Sequence, residues 1–219
     1  MGNFHSKPYY DDWVKLASPE IKEFLQAENK FIQKILSRNC QKCSVLDIGC
    51  GYGRTIDFIH KIPLKIVGID NNKRMVQNAR RNLKKYKNVK VMLMDASGPK
   101  FREKFDFVLC LANTFGNFSS DKIKALEGMK RVLKCSGKII IHVYNQKSLK
   151  FRLKDYKKAG MPILKIDKAG TVYSADGLKL EQFSAKRLRE IFSKAKLDVK
   201  IGQLTPISYI CVATKRAVD

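Results

Sequence analysis

The sequence lacks any hydrophobic run long enough to cross a membrane. A membrane-spanning helix needs about 18 or more consecutive apolar residues, and no such stretch occurs among the 219 residues. The first residues, MGNFHSKPYYDDW, also lack the apolar block of a secretory signal peptide. Internal repeats and low-complexity segments are absent, while 44% of the residues are hydrophobic. We therefore expect one globular domain in the cytoplasm, with no transmembrane segment.

Acidic residues are scarce. The chain holds 20 Asp and Glu against 44 Lys and Arg, which gives a formal net charge of +24. Residues 1–50 are nearly neutral, with seven basic and six acidic residues, so the excess lies in the remainder. A surface this basic can bind a polyanion such as RNA or an acidic membrane. Lysines on solvated helix faces give the same composition, and charge alone does not choose between these interpretations.

The six cysteines do not form a metal-binding pattern. Cys40 and Cys43 make a single C-x-x-C, and a zinc site needs a second pair of ligands at suitable spacing, which the sequence lacks. We predict no metal site. Several of the other cysteines lie in apolar strand-like runs, where a thiol behaves as a small buried hydrophobe. A reducing cytosol fits this usage best, and a redox role for the C-x-x-C remains an alternative.

The most informative segment that is present, residues 45–53, reads VLDIGCGYG. A short apolar run contains an acid, Asp47, and glycines follow at alternate positions, Gly49, Gly51 and Gly53. A helix pattern begins directly after the third glycine. Glycine suits a backbone that turns tightly or approaches a ligand closely, and the start of a helix presents unpaired N–H groups. The pattern predicts a buried strand that runs into a ligand-binding turn.

Strand and helix patterns alternate through most of the chain. Such alternation predicts a parallel sheet with helices on both faces. Near the C-terminus, Pro206 lies in a tight link between two strand patterns, which predicts an antiparallel pair. We expect a doubly wound α/β fold whose mostly parallel sheet ends in an antiparallel hairpin. The predicted strands are Val45–Ile48, Ile66–Ile69, Val89–Met94, Phe105–Leu111, Lys138–Tyr144, Asp198–Leu204 and Ile207–Thr214, and the predicted helices are Ser18–Leu36, Arg54–His60, Asn72–Lys85, Asp121–Leu133 and Ala185–Lys196.

The pattern D-x-G-x-G-x-G, in its strand–turn–helix context, resembles the cofactor loop of class I S-adenosylmethionine-dependent methyltransferases. The resemblance covers roughly residues 40–216 and implies a seven-stranded, Rossmann-like sheet with S-adenosylmethionine as cofactor. It implies that the glycine turn lies against the methionine part, and that acids at the next two strand ends bind ribose and adenine. Asp47 could instead only cap the turn, Asp70 could cap the next helix, and Arg54 could be a solvent-facing helix residue. The implied cofactor-binding residues are Asp47, Gly49, Gly51, Gly53, Arg54, Asp70, Asn71, Asp95, Ala96 and Asn113.

The fourth strand end, FDFVLCLANTFGNF, bears on the type of reaction. It lacks the N/D-P-P-Y/F sequence of methyltransferases that act on exocyclic base amines, and it lacks the cysteine used for cytosine carbon methylation. It is similar to the A-x-T-x-G-N segment of small-molecule N-methyltransferases. That similarity implies that Asn113 stands near the transferring methyl group, with Phe115 and Asn117 beside the acceptor and Phe115 excluding water. A loop-to-helix connection with asparagines as turn residues is the alternative.

Two side chains at the end of the fifth strand are candidates for acid–base chemistry. Methyl transfer mainly requires that nucleophile and methyl group be held in line in a dry site, and a general base is needed only if the acceptor arrives protonated. His142 and Tyr144 alternate along the strand, so they point to one face. With Asn113 they are the predicted catalytic residues, although a lone histidine in an apolar strand is also commonly a core residue.

The chain divides into four predicted parts. They are a helical lid (1–39), a cofactor-binding core (40–146), an insertion that shapes the substrate pocket (147–183), and a last helix with a strand pair that completes the core (184–219). In the lid, Tyr9, Tyr10 and Trp13 are candidates for closing over the acceptor, or for simple packing on the core.

These patterns give one leading expectation and several alternatives. The leading one is an S-adenosylmethionine-dependent methyltransferase with a small-molecule acceptor, methylated at nitrogen. The first alternative is a methyltransferase of tRNA or rRNA, supported by the net charge and by basic and aromatic residues at 147–158. A protein methyltransferase and a non-catalytic, cofactor-binding partner subunit are the others.

Overall fold

The structure of the chain is a computed structural model, and its described part includes every helix and strand predicted above. The described residues are 17–216, without Gln41, Ser97, Ser120 and Asp176. The aromatic residues predicted to close over the acceptor, Tyr9, Tyr10 and Trp13, lie outside the described residues.

Seven of the strands form the central sheet. In chain order the strands are β1 (Ser44–Ile48), β2 (Lys65–Asp70), β3 (Val89–Leu93), β4 (Phe105–Cys110), β5 (Leu133–Tyr144), β6 (Ile163–Ile166), β7 (Val172–Ser174), β8 (Lys179–Leu180), β9 (Leu197–Thr205) and β10 (Ser208–Lys215). The order across the central sheet is β3-β2-β1-β4-β5-β10-β9. Within it only β10 runs antiparallel to its neighbours. The predicted mostly parallel sheet with an antiparallel C-terminal pair is confirmed.

Helices cover both faces of this sheet. They are α1 (Pro19–Asn39), α2 (Arg54–Ile59), α3 (Lys73–Leu83), α4 (Thr114–Asn117), α5 (Lys122–Val132), α6 (Leu149–Lys158) and α7 (Ala185–Lys194). Apolar residues of α1, α2 and α3 pack on one face, and those of α5 and α7 pack on the other. Within the described ranges, none of the helices combines the length and apolar character that crossing a membrane requires.

The strand order reverses beside β1, and this reversal sets the position of the site. The chain goes from β1 outward to β2 and β3, and then returns to place β4 and β5 on the other side of β1. Loops that leave neighbouring strands in opposite directions open a crevice at the carboxyl ends of the strands. Asp47 is in register with Gly68 of β2 and with Leu109 of β4. The end of β1 therefore stands at the centre of that crevice.

Helix α1 packs tightly on the sheet. Pro19 occupies the first turn, where its missing N–H is not needed. The backbone N–H and the hydroxyl of Ser18 both donate to Asp155 Oδ2, at 2.9 and 3.1 Å, which ties the start of α1 to α6. The buried residues of α1 are Ile21, Phe24, Leu25, Glu28, Ile32 and Leu36. Through α1, the segment predicted as a lid contributes directly to the core.

The start of β5 differs from the prediction. The sequence predicts that the strand begins at Lys138, but β5 begins at Leu133 and includes Cys135-Ser136-Gly137. The pairing with β4 is irregular at this point, because the register shifts between Phe105 and Phe107. A bulge of this kind lets residues with turn propensity remain in an extended strand.

The insertion at 147–183 contains α6 and a separate three-stranded sheet in the order β6-β7-β8. The third strand has only two residues, too few for a period-two pattern to be visible in the sequence.

Cys40 and Cys43 are joined by a disulfide in the link before β1, with 5.0 Å between their Cα atoms. This pair, which the sequence left open as a redox pair, is therefore oxidised in the structure. Of the free cysteines, Cys50, Cys110 and Cys211 are buried, as expected for small hydrophobes, and Cys135 is exposed.

Candidate functional site

The turn after β1 holds a left-handed backbone conformation at each of its glycines, with φ of +71° at Gly49, +54° at Gly51 and +92° at Gly53. A Cβ at Gly49 would overlap the side chain of Thr114, and one at Gly53 would meet Leu83 at 2.6 Å. A Cβ at Gly51 would find no described atom within 4 Å. Packing therefore requires glycine at the first and third positions, while the middle glycine leaves its backbone open to a ligand.

Asp47, at the end of β1, is a buried carboxyl that forms no hydrogen bond or ion pair with any described residue. Burial raises the pKa of Asp47 to about 7; the positive charge of Arg54 opposes the rise, and the negative charges of Glu28 and Asp70 add to it. A strongly perturbed carboxyl in a crevice is typical of a functional group. Asp47 is therefore suited to receive a cationic group of a ligand.

Asp70, at the end of β2, connects two loops. Its Oδ2 accepts from the backbone N–H of Gly51 at 2.9 Å, and its Oδ1 accepts from that of Asn72 at 2.9 Å. The helix cap is supplied by Asn72, whose side chain accepts from the N–H groups of Arg74 and Met75, so the alternative interpretation of Asp70 as the cap of α3 is wrong. The carboxylate of Asp70 thus fixes the glycine turn against the second strand end.

The third strand end lies next to the second. The N–H of Met94 donates to the carbonyl of Asp70 at 3.0 Å, which brings Asp95 and Ala96 to the same edge of the sheet. Asp95 is exposed and Ala96 is buried. Asn71 is also exposed at this edge. The predicted cofactor residues of the first three strand ends are therefore brought together.

Glu28 of α1 is the residue of this site that sequence reasoning missed. Its side chain is fully buried, and its Oε1 accepts from Arg54 Nη2. Its Oε2 accepts from the backbone N–H of Ala112 at 2.6 Å and lies 2.8 Å from His142 Nδ1. Arg54 is also held by Asn29, whose Oδ1 accepts from Nη1 at 2.7 Å. Arg54 therefore faces α1 and the site, and the solvent-facing alternative is wrong.

Glu28 is ionised despite its burial. Burial acts to raise its pKa, but the charge of Arg54, the hydrogen bond and charge of His142, and the N–H of Ala112 lower it to about 2. A signal for this residue was present in the sequence, because Glu28 stands between Phe24, Leu25 and Ile32 on the apolar stripe of α1. A glutamate at a core position needs a buried partner.

The fourth strand end is held in an unusual backbone conformation. Ala112 and Asn113 both have positive φ, of 50° and 60°. Consecutive non-glycine residues in this region are strained and persist only where surrounding contacts hold them. The N–H of Ala112 is bound by Glu28, and the N–H of Asn113 donates to the carbonyl of His142 at 3.0 Å. The strain lies where the resemblance predicts the reaction.

Both polar atoms of the Asn113 side-chain amide form hydrogen bonds within the protein. Its Oδ1 accepts from the N–H of Tyr144 at 3.0 Å, and its Nδ2 donates to the carbonyl of Glu181 at 3.1 Å. Nδ2 also lies 3.4 Å from Asn117 Oδ1. Phe115 is fully buried, with its ring against Phe183, in the core on the opposite face from α1. The Phe115 ring therefore lies on the face opposite α1, and the amide of Asn113 links β5 to the insertion.

His142 and Tyr144 lie on one face of β5, as predicted. The ring of Phe24 on α1 stacks on both, with ring centroids 4.0 Å and 4.3 Å apart. His142 Nε2 and the Tyr144 hydroxyl are buried and have no hydrogen-bond partner within the described ranges, and Asp155 Oδ1 is in the same state. Buried polar atoms without partners are rare in folded proteins and call for an explanation.

Residues 45–137 match the family described as a methyltransferase domain. This range runs from β1 into β5 and contains all of the predicted cofactor-binding residues. It also contains the left-handed segment after β4.

The chain is similar to known proteins in both sequence and structure. The chain is 35% identical over 136 residues to the uncharacterized protein MJ1123 of Methanocaldococcus jannaschii, and the match covers 60% of this chain and 61% of that protein. PH0226 of Pyrococcus horikoshii OT3 has a TM-score of 0.74 at 22% identity, over 96% of this chain and 99% of that one. An S-adenosylmethionine-dependent methyltransferase of Clostridium acetobutylicum ATCC 824 has a TM-score of 0.68 at 13% identity, over 95% and 96%.

At these identities the solved structures show a shared fold, and the match to MJ1123 spans less than two thirds of either chain. The fold, the glycine turn and the matched domain nevertheless agree with one another. Residues 45–137 therefore form a methyltransferase domain, and the chain has the fold of class I S-adenosylmethionine-dependent methyltransferases.

Proposed function

We propose that the chain transfers a methyl group from S-adenosylmethionine to a nitrogen atom of a small molecule. The observation that carries this proposal is the enclosure of His142 Nε2 and the Tyr144 hydroxyl beneath Phe24 of α1. A few polar groups set among buried side chains are typical of small-molecule sites. A polymeric acceptor would need polar groups that are accessible at the surface.

The residues at the centre of the crevice fit S-adenosylmethionine. Asp47 offers a buried carboxyl without a hydrogen-bond partner to the ammonium group, and Arg54 offers a cation to the carboxylate. Gly51 leaves space for close approach to its backbone. When bound, S-adenosylmethionine supplies a methyl group that its sulfonium charge activates. The residues of the chain then hold acceptor and methyl group in line and exclude water.

The ribose and adenine would lie against the second and third strand ends. Each oxygen of Asp70 accepts one backbone N–H, and a carboxylate oxygen has lone pairs for a further hydrogen bond from a ribose hydroxyl. Asn71, Asp95 and Ala96 surround the adenine in this proposal. Asn113 acts as a positioning residue, since its amide already braces β5 and the insertion.

RNA is the second candidate acceptor, and one observation favours it. Helix α6, in the insertion beside the site, exposes a row of four lysines, which are Lys150, Lys154, Lys157 and Lys158. Lysines of this kind bind phosphates regardless of sequence. The +24 net charge of the chain would strengthen that attraction.

Methyl-tritiated S-adenosylmethionine distinguishes the acceptors. The protein is incubated with it and a cell extract, and the label is then divided by size filtration, RNase and protease. We expect label in the small filtrate, because the polar atoms of the acceptor site are enclosed. Asp70→Ala, which removes the carboxylate at the ribose position, should transfer little label and serves as the control.

Label that is lost on RNase treatment would instead support the RNA alternative and give the lysines of α6 a function. Protease-sensitive label would indicate a protein acceptor. An absence of transfer that the wild type and Asp70→Ala share would contradict the proposed activity.

Two glycine substitutions separate folding from binding. Gly51→Ala strains a left-handed residue, at roughly 1–2 kcal/mol, but its Cβ enters open space. Gly49→Ala adds an overlap with Thr114 to the same strain, so it should destabilise the fold more. We expect Gly51→Ala to weaken S-adenosylhomocysteine binding at least tenfold in calorimetry, with only a modest loss in urea unfolding. Unchanged affinity in Gly51→Ala would show that the cofactor lies elsewhere.

Asp47→Asn should stabilise the protein at high pH. The folded carboxyl keeps its proton up to about pH 7, whereas in the unfolded chain it ionises near its ordinary value of 3.8. Because the unfolded state loses the proton first, this group lowers stability progressively from about pH 4 to pH 7. Asparagine cannot ionise, so the variant should gain on the order of 4 kcal/mol at pH 8 and almost nothing at pH 4.

Urea unfolding at pH 4, 6 and 8 measures this difference. S-adenosylmethionine affinity, measured alongside, should fall in the variant, because the ammonium group loses its carboxylate partner. A variant that is no more stable than the wild type at pH 8 would contradict the burial cost assigned to Asp47.

A further inference from the structure

Glu28 and His142 form a buried pair for which the similarity to known proteins gives no role. Glu28 Oε2 and His142 Nδ1 are 2.8 Å apart, and both side chains have no exposed surface. They come from different parts of the fold, since Glu28 is on α1 and His142 is near the carboxyl end of β5. The N–H of Ala112, at the strained fourth strand end, meets the same carboxylate oxygen.

The charge state of Glu28 decides which nitrogen of His142 carries a proton. Three donors surround the Glu28 carboxylate, and a carboxylate can only accept hydrogen bonds. Nδ1 of His142 must therefore be the donor in the 2.8 Å contact. In a neutral imidazole the other nitrogen, Nε2, then has a free lone pair.

Nε2 is buried and has no hydrogen-bond partner within the described part of the chain. A buried polar atom left in this state carries an unrecovered desolvation cost, which a ligand that donates a hydrogen bond would offset. Two further buried atoms have no hydrogen-bond partner among the described residues. They are the hydroxyl of Tyr144, on the same face of β5, and Oδ1 of Asp155 on α6, the helix whose Arg152 lies over the Tyr144 ring. Nε2 and Oδ1 accept hydrogen bonds, and the Tyr144 hydroxyl can donate or accept. The set fits a ligand rich in N–H donors.

We propose that Glu28 and His142 form a dyad that removes a proton from an amine acceptor, with His142 Nε2 as the base and Glu28 as the positioning residue. This inference rests on the proposed function and names its substrate class, a primary or secondary aliphatic amine that is an ammonium ion at neutral pH. An ammonium nitrogen has no lone pair and cannot attack a methyl group.

The proton step balances without another reactant. The N–H bond of the ammonium breaks, its electron pair stays on nitrogen as the lone pair, and the proton binds Nε2. The positive charge passes to the imidazolium, beside the Glu28 carboxylate. Among the described residues, the other charged or titratable groups around the dyad are Arg54 and Asp47 beyond Glu28, Cys110 at the end of β4, Tyr144 on β5, and Arg152 and Asp155 on α6. Helix α1 adds Phe24, and β10 pairs with His142 through Ile210, which are both apolar.

The tautomer of His142 tests the dyad without any substrate. The chain has three histidines, so ¹⁵N-histidine labelling gives few resonances, and His142→Gln assigns the one of interest. At pH 8, with and without S-adenosylhomocysteine, we expect a proton on Nδ1 and none on Nε2. A neutral ring protonated on Nε2, or an imidazolium at pH 8, would overturn the proposal.

Glu28→Gln and Asn29→Ala form a matched pair. Both remove a contact between α1 and Arg54, but only Glu28→Gln alters the group bound to Nδ1. We expect Glu28→Gln to lose the tautomer preference and Asn29→Ala to keep it. The same outcome in both variants would mean that Arg54, and not the contact between Glu28 and His142, sets the tautomer of the His142 ring. The wild-type spectrum remains decisive if Glu28→Gln fails to fold.

A rate measurement separates a base from a structural histidine. With the small-molecule filtrate of a cell extract as acceptor, His142→Gln should transfer label about 10²–10⁴-fold more slowly than the wild type at pH 7. The deficit should shrink at least tenfold at pH 9.5, where aliphatic amines lose the proton in solution. An equal deficit at both pH values would contradict the dyad. Failure of S-adenosylhomocysteine to bind the wild type would count against the proposed function instead.

Discussion

The buried carboxylate of Glu28 fixes the functional edge of the sheet. It binds the guanidinium of Arg54 after the glycine turn, the N–H of Ala112 after β4, and the ring of His142 in β5. A buried charge is tolerated only when its lone pairs are satisfied. Because these partners come from three separate strand ends, α1 cannot leave without exposing an unpaired cation and releasing a strained turn. The glycine turn and the proposed acceptor site are thereby held in one arrangement.

Two buried carboxyls in this edge have opposite roles. The donors around Glu28 keep its pKa at about 2, so Glu28 stays ionised and its charge holds its three partners in place. Asp47 forms no such contacts within the described residues, and burial raises its pKa to about 7. The folded protein therefore carries an unfavourable group at the position where a cationic part of the cofactor would be bound. Stability given up at a binding site in this way is a common feature of enzymes.

The fold and the glycine turn after the first strand could be predicted from the sequence. The contacts that α1 makes with the strand ends could not. Alternating strand and helix patterns and the spaced glycines are local signals, and both survive folding unchanged. The three partners of Glu28 lie 26, 84 and 114 residues away in the chain, separations that no periodic pattern encodes. For the same reason the sequence identified Asn113 as a candidate site residue but did not predict its hydrogen bonds to Tyr144 and Glu181. Those residues approach Asn113 only in the folded chain. The disulfide between Cys40 and Cys43 depends on oxidation state, which the spacing leaves open.

Hydrogen exchange with and without S-adenosylhomocysteine tests most directly whether Glu28 couples α1 to the cofactor turn. Exchange of amides reports the local opening of each element. The account predicts that the ligand slows exchange in the turn at 49–53 and, together with it, in the middle of α1 around Glu28 and at Ala112. Protection confined to the glycine turn, with α1 exchanging as before, would contradict the coupling.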